Sequence, residues 1–203
     1  MTTHAPVDDA SPRLSRVAAR VAGLFFFGAL ALTFCDGFHT HGGATRYPTP
    51  IFLMMAWWAP LLFGSSAAFG GLAYALGYRA LGGRRAPAAG PIAVALALFV
   101  AAYFATGFLP ASNMIKASVA LVAAIVGWGI SDRTWQGAAL ALATAIVGPC
   151  VEITLVHLGA FAHLQPDLLG VPIWLPALYL ASGPAVGQLA RLVLGFEASS
   201  SRS

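Results

Sequence analysis

I-A-V-A-L-A-L-F-V-A-A-Y-F-A-T-G-F-L (Ile92–Leu109), then P-A-S-N-M, then I-K-A-S-V-A-L-V-A-A-I-V-G-W-G-I (Ile115–Ile130): these consecutive stretches decide the fold. A hydrocarbon core about 30 Å thick needs about 20 apolar residues as helix. Both runs approach that length, and Lys116 is the only charge in either. The connector between them carries the breakers Pro110, Ser112 and Asn113. The pair therefore reads as a tight antiparallel hairpin of two membrane-spanning helices.

Four more runs of the same kind surround it. They are Val17 to about Cys35, about Ile51 to Tyr78 with Pro60 and several glycines inside, about Trp135 to Phe161, and about Ile173 to Leu194. The totals agree. Hydrophobic residues make up 59% of the 203 and charged residues 9%, against roughly 25% charged in an ordinary soluble domain. Mean hydropathy is +0.79. So small a globule cannot hide that much apolar surface from water, and disorder needs the opposite composition. The expected fold is all-α: a polytopic bundle of six transmembrane helices spanning 16–195, between polar tails at 1–15 and 196–203. The Arg-flanked first run lacks a clean cleavage site and reads as a retained helix.

Six spans with the N-terminus inside put Arg13, Arg16, Arg20, Arg79, Arg84, Arg85, Arg133, Arg191 and Arg202 on one side, and only Arg46 and Lys116 on the other. Positive-inside bias then places both termini in the cytoplasm. The arginines flank apolar runs and make no aromatic-laced basic stripe, so the charge of +4 implies no nucleic-acid partner. Heavy Ala, Gly and Arg usage suggests a GC-rich, bacterial genome. Neither a repeat of solenoid period nor an inverted three-plus-three repeat is evident.

Glu152 is the sharpest anomaly, a carboxyl group in the middle of the fifth run that must be neutral, paired or facing a polar cavity. His157 stands about 140° around the helix from it, at about 100° per residue. Asp36, His39 and His41 have the look of a metal cluster, but nothing closes the coordination shell, and they read better as solvated interfacial groups. No metal site and no cofactor is expected. Cys35 and Cys150 lie in separate runs and make no disulfide framework. His163 and Asp167 share an outer loop, where polar residues are expected by default. Neither G-x-S-x-G nor H-E-x-x-H occurs, so an enzyme is not expected. Asp132-Arg133 is a charged pair on a short turn, a handle for a partner. Gly183-x-x-x-Gly187 permits close helix approach, within the bundle or between copies.

Three stretches together resemble the insulin-induced gene (Insig) family of membrane proteins. Trp57-Trp58-Ala59-Pro60 followed by Gly64-Ser65-Ser66-Ala67-Ala68 is similar to its W-W-x-P and small-residue run. Trp128-x-x-x-Asp132-Arg133 is similar to its W-W-x-F-D-R turn, with Gly129 in place of the second Trp. Pro166-Asp167-Leu168-Leu169, Trp174-Leu175-Pro176, Gly183, Gly187 and Arg191 keep its last-span spacing, with Pro184 and Gln188 as departures. The likeness covers roughly residues 50 to 195. It implies regulation without catalysis. Animal members reside in the endoplasmic reticulum, bind oxysterols, retain the escort protein of sterol-regulated transcription factors and recruit HMG-CoA reductase. The resemblance carries partner binding to Asp132 and sterol contact to Trp128. In a bacterial inner membrane those protein partners would be absent.

The residues themselves favour the same ligand class. A cavity between such helices is lined by large apolar and small side chains, which suits a neutral lipid, sterol-like or diacylglycerol, better than a phosphate. Trp57, Trp58, Pro60, Gly64, Ser65 and Trp128 are expected along it. Glu152 or Thr154 would hydrogen-bond a lipid hydroxyl. A homo-oligomer is expected, with a trimer as the guess. Two other readings stand beside this one: a small proton-coupled transporter using Glu152, and a structural membrane subunit with no ligand.

Overall fold

A computed structural model describes residues 11–195. Six helices are long and apolar enough to cross a membrane: α1 (Leu14–His41, its helix beginning at Ser11), α2 (Ala59–Ala80), α3 (Ala89–Phe108), α4 (Asn113–Ser131), α5 (Trp135–His157) and α6 (Leu175–Leu194). The six expected spans are all present. Residues 11–15, assigned to a polar tail by composition, already belong to the first helix. The rest of the expected tails lies outside the described residues.

Helix boundaries follow local chemistry. The side chains of Ser112 and Thr134 accept the backbone N–H of Ile115 and Gly137, capping α4 and α5. Pro60 and Pro176 stand in the first turns of α2 and α6, where a missing N–H costs nothing. Three helices each contain one wide π turn, at Gly28–Leu32, Ser66–Gly70 and Gly183–Gly187. All three are rich in Gly and Ala, and the last contains Pro184, which removes a donor from the helical ladder.

α6 is the hub, the most buried span, packed against α2, α3, α4 and α5. α3 and α4 form the expected hairpin. The core around α6 joins Trp174, Leu175, Leu178, Ala181 and Ala185 to Phe99 of α3 and Ala120 and Ala124 of α4. Gly183 and Gly187 both act inside the chain. A Cβ at Gly183 would fall 2.5 Å from the Ala141 Cβ, and one at Gly187 would fall 2.7 Å from the Tyr74 ring. They let α5 and α2 close on α6.

A repeat that composition hides emerges from the backbone. The unit from the end of α1 into α2 recurs from the end of α5 into α6, at a constant offset of 116 residues. Ala44 N donates to His39 O and Ala160 N to Leu155 O. Met55 N donates to Phe52 O and Val171 N to Leu168 O. Leu62 N donates to Trp58 O and Leu178 N to Trp174 O. Gly43 and Gly159 share positive φ, as do the turn residues Leu53-Met54 and Leu169-Gly170. α1 and α5 cross in the same direction, so the units are parallel, related by a pseudo-two-fold axis along the bundle. The two-residue strands β1 (Thr45–Arg46) and β2 (Ala162–His163) meet on that axis, antiparallel, with Arg46 opposite Ala162, its equivalent. The α3–α4 hairpin is inserted between the copies.

Candidate functional site

Sequence neighbours α4 and α5 are joined by the short Asp132–Thr134 turn, yet above it they barely touch, each leaning on α6 instead. The V between them holds a recess of about 170 Å³. Ala124, Ile125 and Trp128 of α4 line it, with Ala138 and Ala141 of α5 and Leu180 and Pro184 of α6. Nearly all of its surface is carbon. The Trp128 Nε1–H donates to Thr134 O at 3.0 Å, so the indole is fixed and its one donor is occupied. Thr144 Oγ1 lies 2.7 Å from Ala141 O and 3.1 Å from Tyr179 O, spanning from α5 to α6 at the back of the V.

Asp132 closes the point of the V. Its carboxylate is 1% exposed and turned inward, not displayed on the turn as expected. Oδ1 accepts Tyr78 OH at 3.3 Å and Thr134 Oγ1 at 2.9 Å, and stands 3.9 Å from Arg191 Nη1. Arg191 stacks over the Tyr78 ring at 3.3 Å and donates to Gln188 Oε1 at 2.6 Å and to the Arg85 carbonyl. Burial raises the Asp132 carboxyl above its ordinary value, opposed by the Thr134 hydrogen bond and the Arg191 charge. Gly137 is what admits this carboxylate to the start of α5, since a Cβ there would fall 1.5 Å from Oδ2. Arg133 is the exposed member of the pair.

A polar cluster occupies the opposite end of the bundle. Asp36 and Glu152 are equivalents under the repeat, and so are Tyr47 and His163. Tyr47 OH donates to Asp36 Oδ2 at 3.3 Å, and His163 Nε2 lies 2.9 Å from Glu152 Oε2. Tyr179 OH donates to Glu152 Oε1 at 2.7 Å. His39 Nδ1 lies 3.3 Å from Asp36 Oδ1, and its Nε2 lies 2.8 Å from Thr106 Oγ1. Burial and the neighbouring Asp36 charge push the Tyr47 phenol up. Asp36, His39 and His163 are buried, which corrects their reading as solvated loop groups. Each repeat folds its strand over its own carboxylate, and Trp174 fills the space between the two imidazoles. Among the described residues no group of three or more His, Cys, Asp or Glu could hold a metal ion.

The structure divides the expected lipid-contact residues. Trp128 lines the recess. Glu152 sits farther out along α5, satisfied by His163 and Tyr179, not by His157. Thr154 is exposed on another face, its hydroxyl donating to Cys150 O. Trp57, Trp58, Pro60, Gly64 and Ser65 belong to the α1–α2 contact and its outer rim. Trp57 is 66% exposed, Trp58 packs on Tyr47, and Gly64 admits the Phe25 ring. None of the five reaches the V. Reading by residue type missed Ala138, Ala141 and Leu180, because alanine and leucine in a span carry no signal of which face they occupy.

The comparisons with known proteins are consistent. No family model matches the chain. It is 32% identical over 180 residues to the INSIG protein homolog of Mycolicibacterium vanbaalenii, covering 84% of this chain and 85% of that protein. It is 30% identical over 176 residues to the insulin-induced gene 1 protein of Danio rerio, covering 83% and 69%. The crystal structure of the mycobacterial Insig homologue MvINS superposes with a TM-score of 0.76 at 29% identity, covering 88% of this chain and 95% of that one. A cross-linked trimer of MvINS gives the same TM-score.

Proposed function

The chain belongs to the Insig family of integral membrane proteins, and on that premise we propose that it binds a neutral lipid in the V between α4 and α5. The role is binding, without catalysis. One observation carries this reading: a recess bounded by carbon, open between α4 and α5, with its single indole donor already occupied. A phosphate would find no cation there, so a sterol-like ring system or a diacylglycerol chain suits the site better than a phospholipid headgroup.

The physical reason for occupancy is not hydrophobicity, because a lipid leaves an equally apolar solvent when it enters. Shape selects instead. The recess takes a ring or a short acyl segment, and the rest of the molecule lies along α4 and α5. Membrane lipid is abundant, so modest affinity fills the site. Homo-oligomerisation, with a trimer as in the cross-linked MvINS crystal, belongs to the same proposal. So does a cytoplasmic location for both termini, which the clustering of arginines at the Asp132 end supports.

Lipid mass spectrometry on protein purified in mild detergent tests the reading, alongside Ala138→Phe. Ala138 is exposed on the wall of the V, so the larger ring fills the recess without disturbing the core. The expected result is a stoichiometric neutral lipid, enriched over the host membrane, that the variant loses. Bulk lipids in host proportions from both proteins would overturn it, as would a proton-coupled flux that Glu152→Gln abolishes.

A further inference from the structure

Lys116 is the only lysine in the chain, and the lipid recess does not use it. It closes the first turn of α4, about 4.5 Å along the axis from Asn113 at about 1.5 Å per residue. A lysine this near a helix end ordinarily snorkels, burying its stem and keeping its ammonium among water and headgroups. Lys116 is instead 7% exposed. Among the described residues it makes no hydrogen bond and no ion pair. A buried ammonium with neither is among the most costly groups a fold can hold.

The side chain lines a recess of about 30 Å³ at the end of the bundle opposite the Asp132 turn. Gly42 and Gly43 after α1, Asn113 and Lys116 on α4, and Gln165 and Trp174 before α6 bound it, and most of its surface is polar. Gly42, Gly43 and Gln165 are exposed, so the recess opens to the surface. It stands at the N-terminus of the 19-residue α4, whose first turn carries no acidic residue, and the helix dipole there adds to the positive charge of Lys116. The Asp167 carboxylate is already held, by Asn113 Nδ2 at 2.7 Å and by the Ile173 amide at 2.9 Å, and makes no ion pair with Lys116. Asn113 Nδ2 also donates to Gln165 O at 2.9 Å, and Asn113 Oδ1 is left buried without a donor. An unmet cation and an unmet acceptor thus belong to one recess.

We propose that this recess binds a phosphate group, with the Lys116 ammonium donating to its oxygens. Size limits what enters. One water needs about 10–15 Å³ of such a volume, so about two oxygens fit and the remainder of the phosphate stays outside. Water would fill the same space but leave the ammonium uncompensated, whereas an oxyanion neutralises it through charge-assisted hydrogen bonds. A phosphate that carries a hydroxyl or an amine beside it also supplies the donor that Asn113 Oδ1 lacks. The ends of membrane-spanning helices lie at the level of the lipid headgroups. A phospholipid diester is therefore one source of the group, and inorganic phosphate is the other. The V has no cation and takes a different chemistry, so this site is independent of the neutral-lipid reading.

Because the chain has a single lysine, labelling lysine Nζ gives one nitrogen signal, and nitrogen–phosphorus recoupling by solid-state NMR reads its distance to phosphorus directly. Full-length protein is washed in dodecyl maltoside and reconstituted in two ways: into phosphatidylglycerol vesicles, and into vesicles of a phosphorus-free galactolipid with inorganic phosphate added. Dephasing in the first arm, from a phosphorus one N–H···O bond of about 2.8 Å away, assigns the site to the headgroup. Dephasing with inorganic phosphate alone assigns it to the free anion. No dephasing in either arm, or a lysine signal in the neutral amine range, would overturn the proposal on unmodified protein. Protein washed from phosphatidylglycerol should also retain phosphorus, and Lys116→Met should weaken that retention on the order of tenfold, the loss of one charged hydrogen bond. The variant removes an unpaired buried charge and should melt no lower than its parent in phosphorus-free detergent. Equal retention by both proteins would count against Lys116. Diacylglycerol bound at the V should be the same in both, and Ala138→Phe should leave the phosphorus unchanged, so failure at either site is read separately.

Discussion

Asp132→Ala is the most telling single change, because it separates a buried lock from an exposed handle. Removing the carboxylate strands the Tyr78 and Thr134 hydroxyls and takes the anion from Arg191, which is 2% exposed. Breaking a buried ion pair from one side costs about 3–5 kcal/mol. Arg191 keeps Gln188 and the Arg85 carbonyl, which favours the low end, about 3 kcal/mol. For a domain this size, about 1 kcal/mol moves Tm by roughly 2–4 °C, so a fall on the order of 10 °C is expected. Asp132→Asn keeps Oδ1 as an acceptor for both hydroxyls and should lose less, about 1–2 kcal/mol. Arg133→Ala, on the same turn but exposed, should fall within about 0.5 kcal/mol of the parent. The assay is thermal unfolding in detergent, followed by tryptophan fluorescence. If Asp132→Ala melts with Arg133→Ala, the carboxylate is not a lock and the argument fails. If the fall is seen, any partner lost by Asp132 variants is lost through the fold of the turn.

Three further outcomes follow. Because burial raises the Asp132 carboxyl in the folded state, its contribution is fullest below its ordinary value of 3.8 and declines as pH rises through the folded value; the stability advantage of the parent over Asp132→Asn should therefore shrink from acid toward neutral pH in paired melts. Gly183→Val would drive a Cβ to 2.5 Å from the Ala141 Cβ and 2.8 Å from its backbone; the helices must part, at a cost of about 1–3 kcal/mol, and an unchanged Tm would refute the contact. Met54 holds φ +59 where its repeat equivalent is Gly170 at φ +83; Met54→Gly should stabilise by on the order of 1 kcal/mol, Gly170→Ala should destabilise, and the same sign for both would show that the two turns are not equivalent.

The spans were legible because membrane burial writes its requirement into every residue of a helix. The Ile92–Leu109 and Ile115–Ile130 runs needed only counting. The sites were harder. Glu152 was conspicuous by its charge, but its partner comes from β2, eleven residues on, and from α6, a pairing that helix periodicity does not reach. Asp36 and His39 read as solvated because they lie near a loop, yet the loop folds back and covers them. The V was invisible because it arises from two neighbouring helices failing to pack, and Ala138 and Ala141 look like any alanine. The repeat did leave a trace: Pro50 and Pro166, Trp58 and Trp174, and Pro60 and Pro176 share one spacing. Most other identities at this spacing, such as Gly43 and Gly159, Ala44 and Ala160 or Leu62 and Leu178, are residues common throughout the chain, so the pattern does not stand out before the hydrogen bonds repeat as well.

The duplication explains where the recess lies. α1–α2 and α5–α6 are copies, yet only the second copy borders a V, because the inserted α3–α4 hairpin breaks the symmetry. α3 packs on the C-terminal half of α1, and α4 packs on α6 but barely on α5. The face of α6 that α4 covers has its counterpart on α2 facing outward, with Leu61 and Phe69 exposed. The recess is thus a seam between one copy of the repeated two-helix unit and the hairpin that lies between the copies. A seam needs no strained backbone to stay open. It needs only a turn too short to let α4 and α5 converge and a lock that fixes their angle, and Asp132 supplies the lock at the point of the V. At the other end, the same repeat places two carboxylates about one axis, Asp36 bonded by Tyr47 and Glu152 by His163.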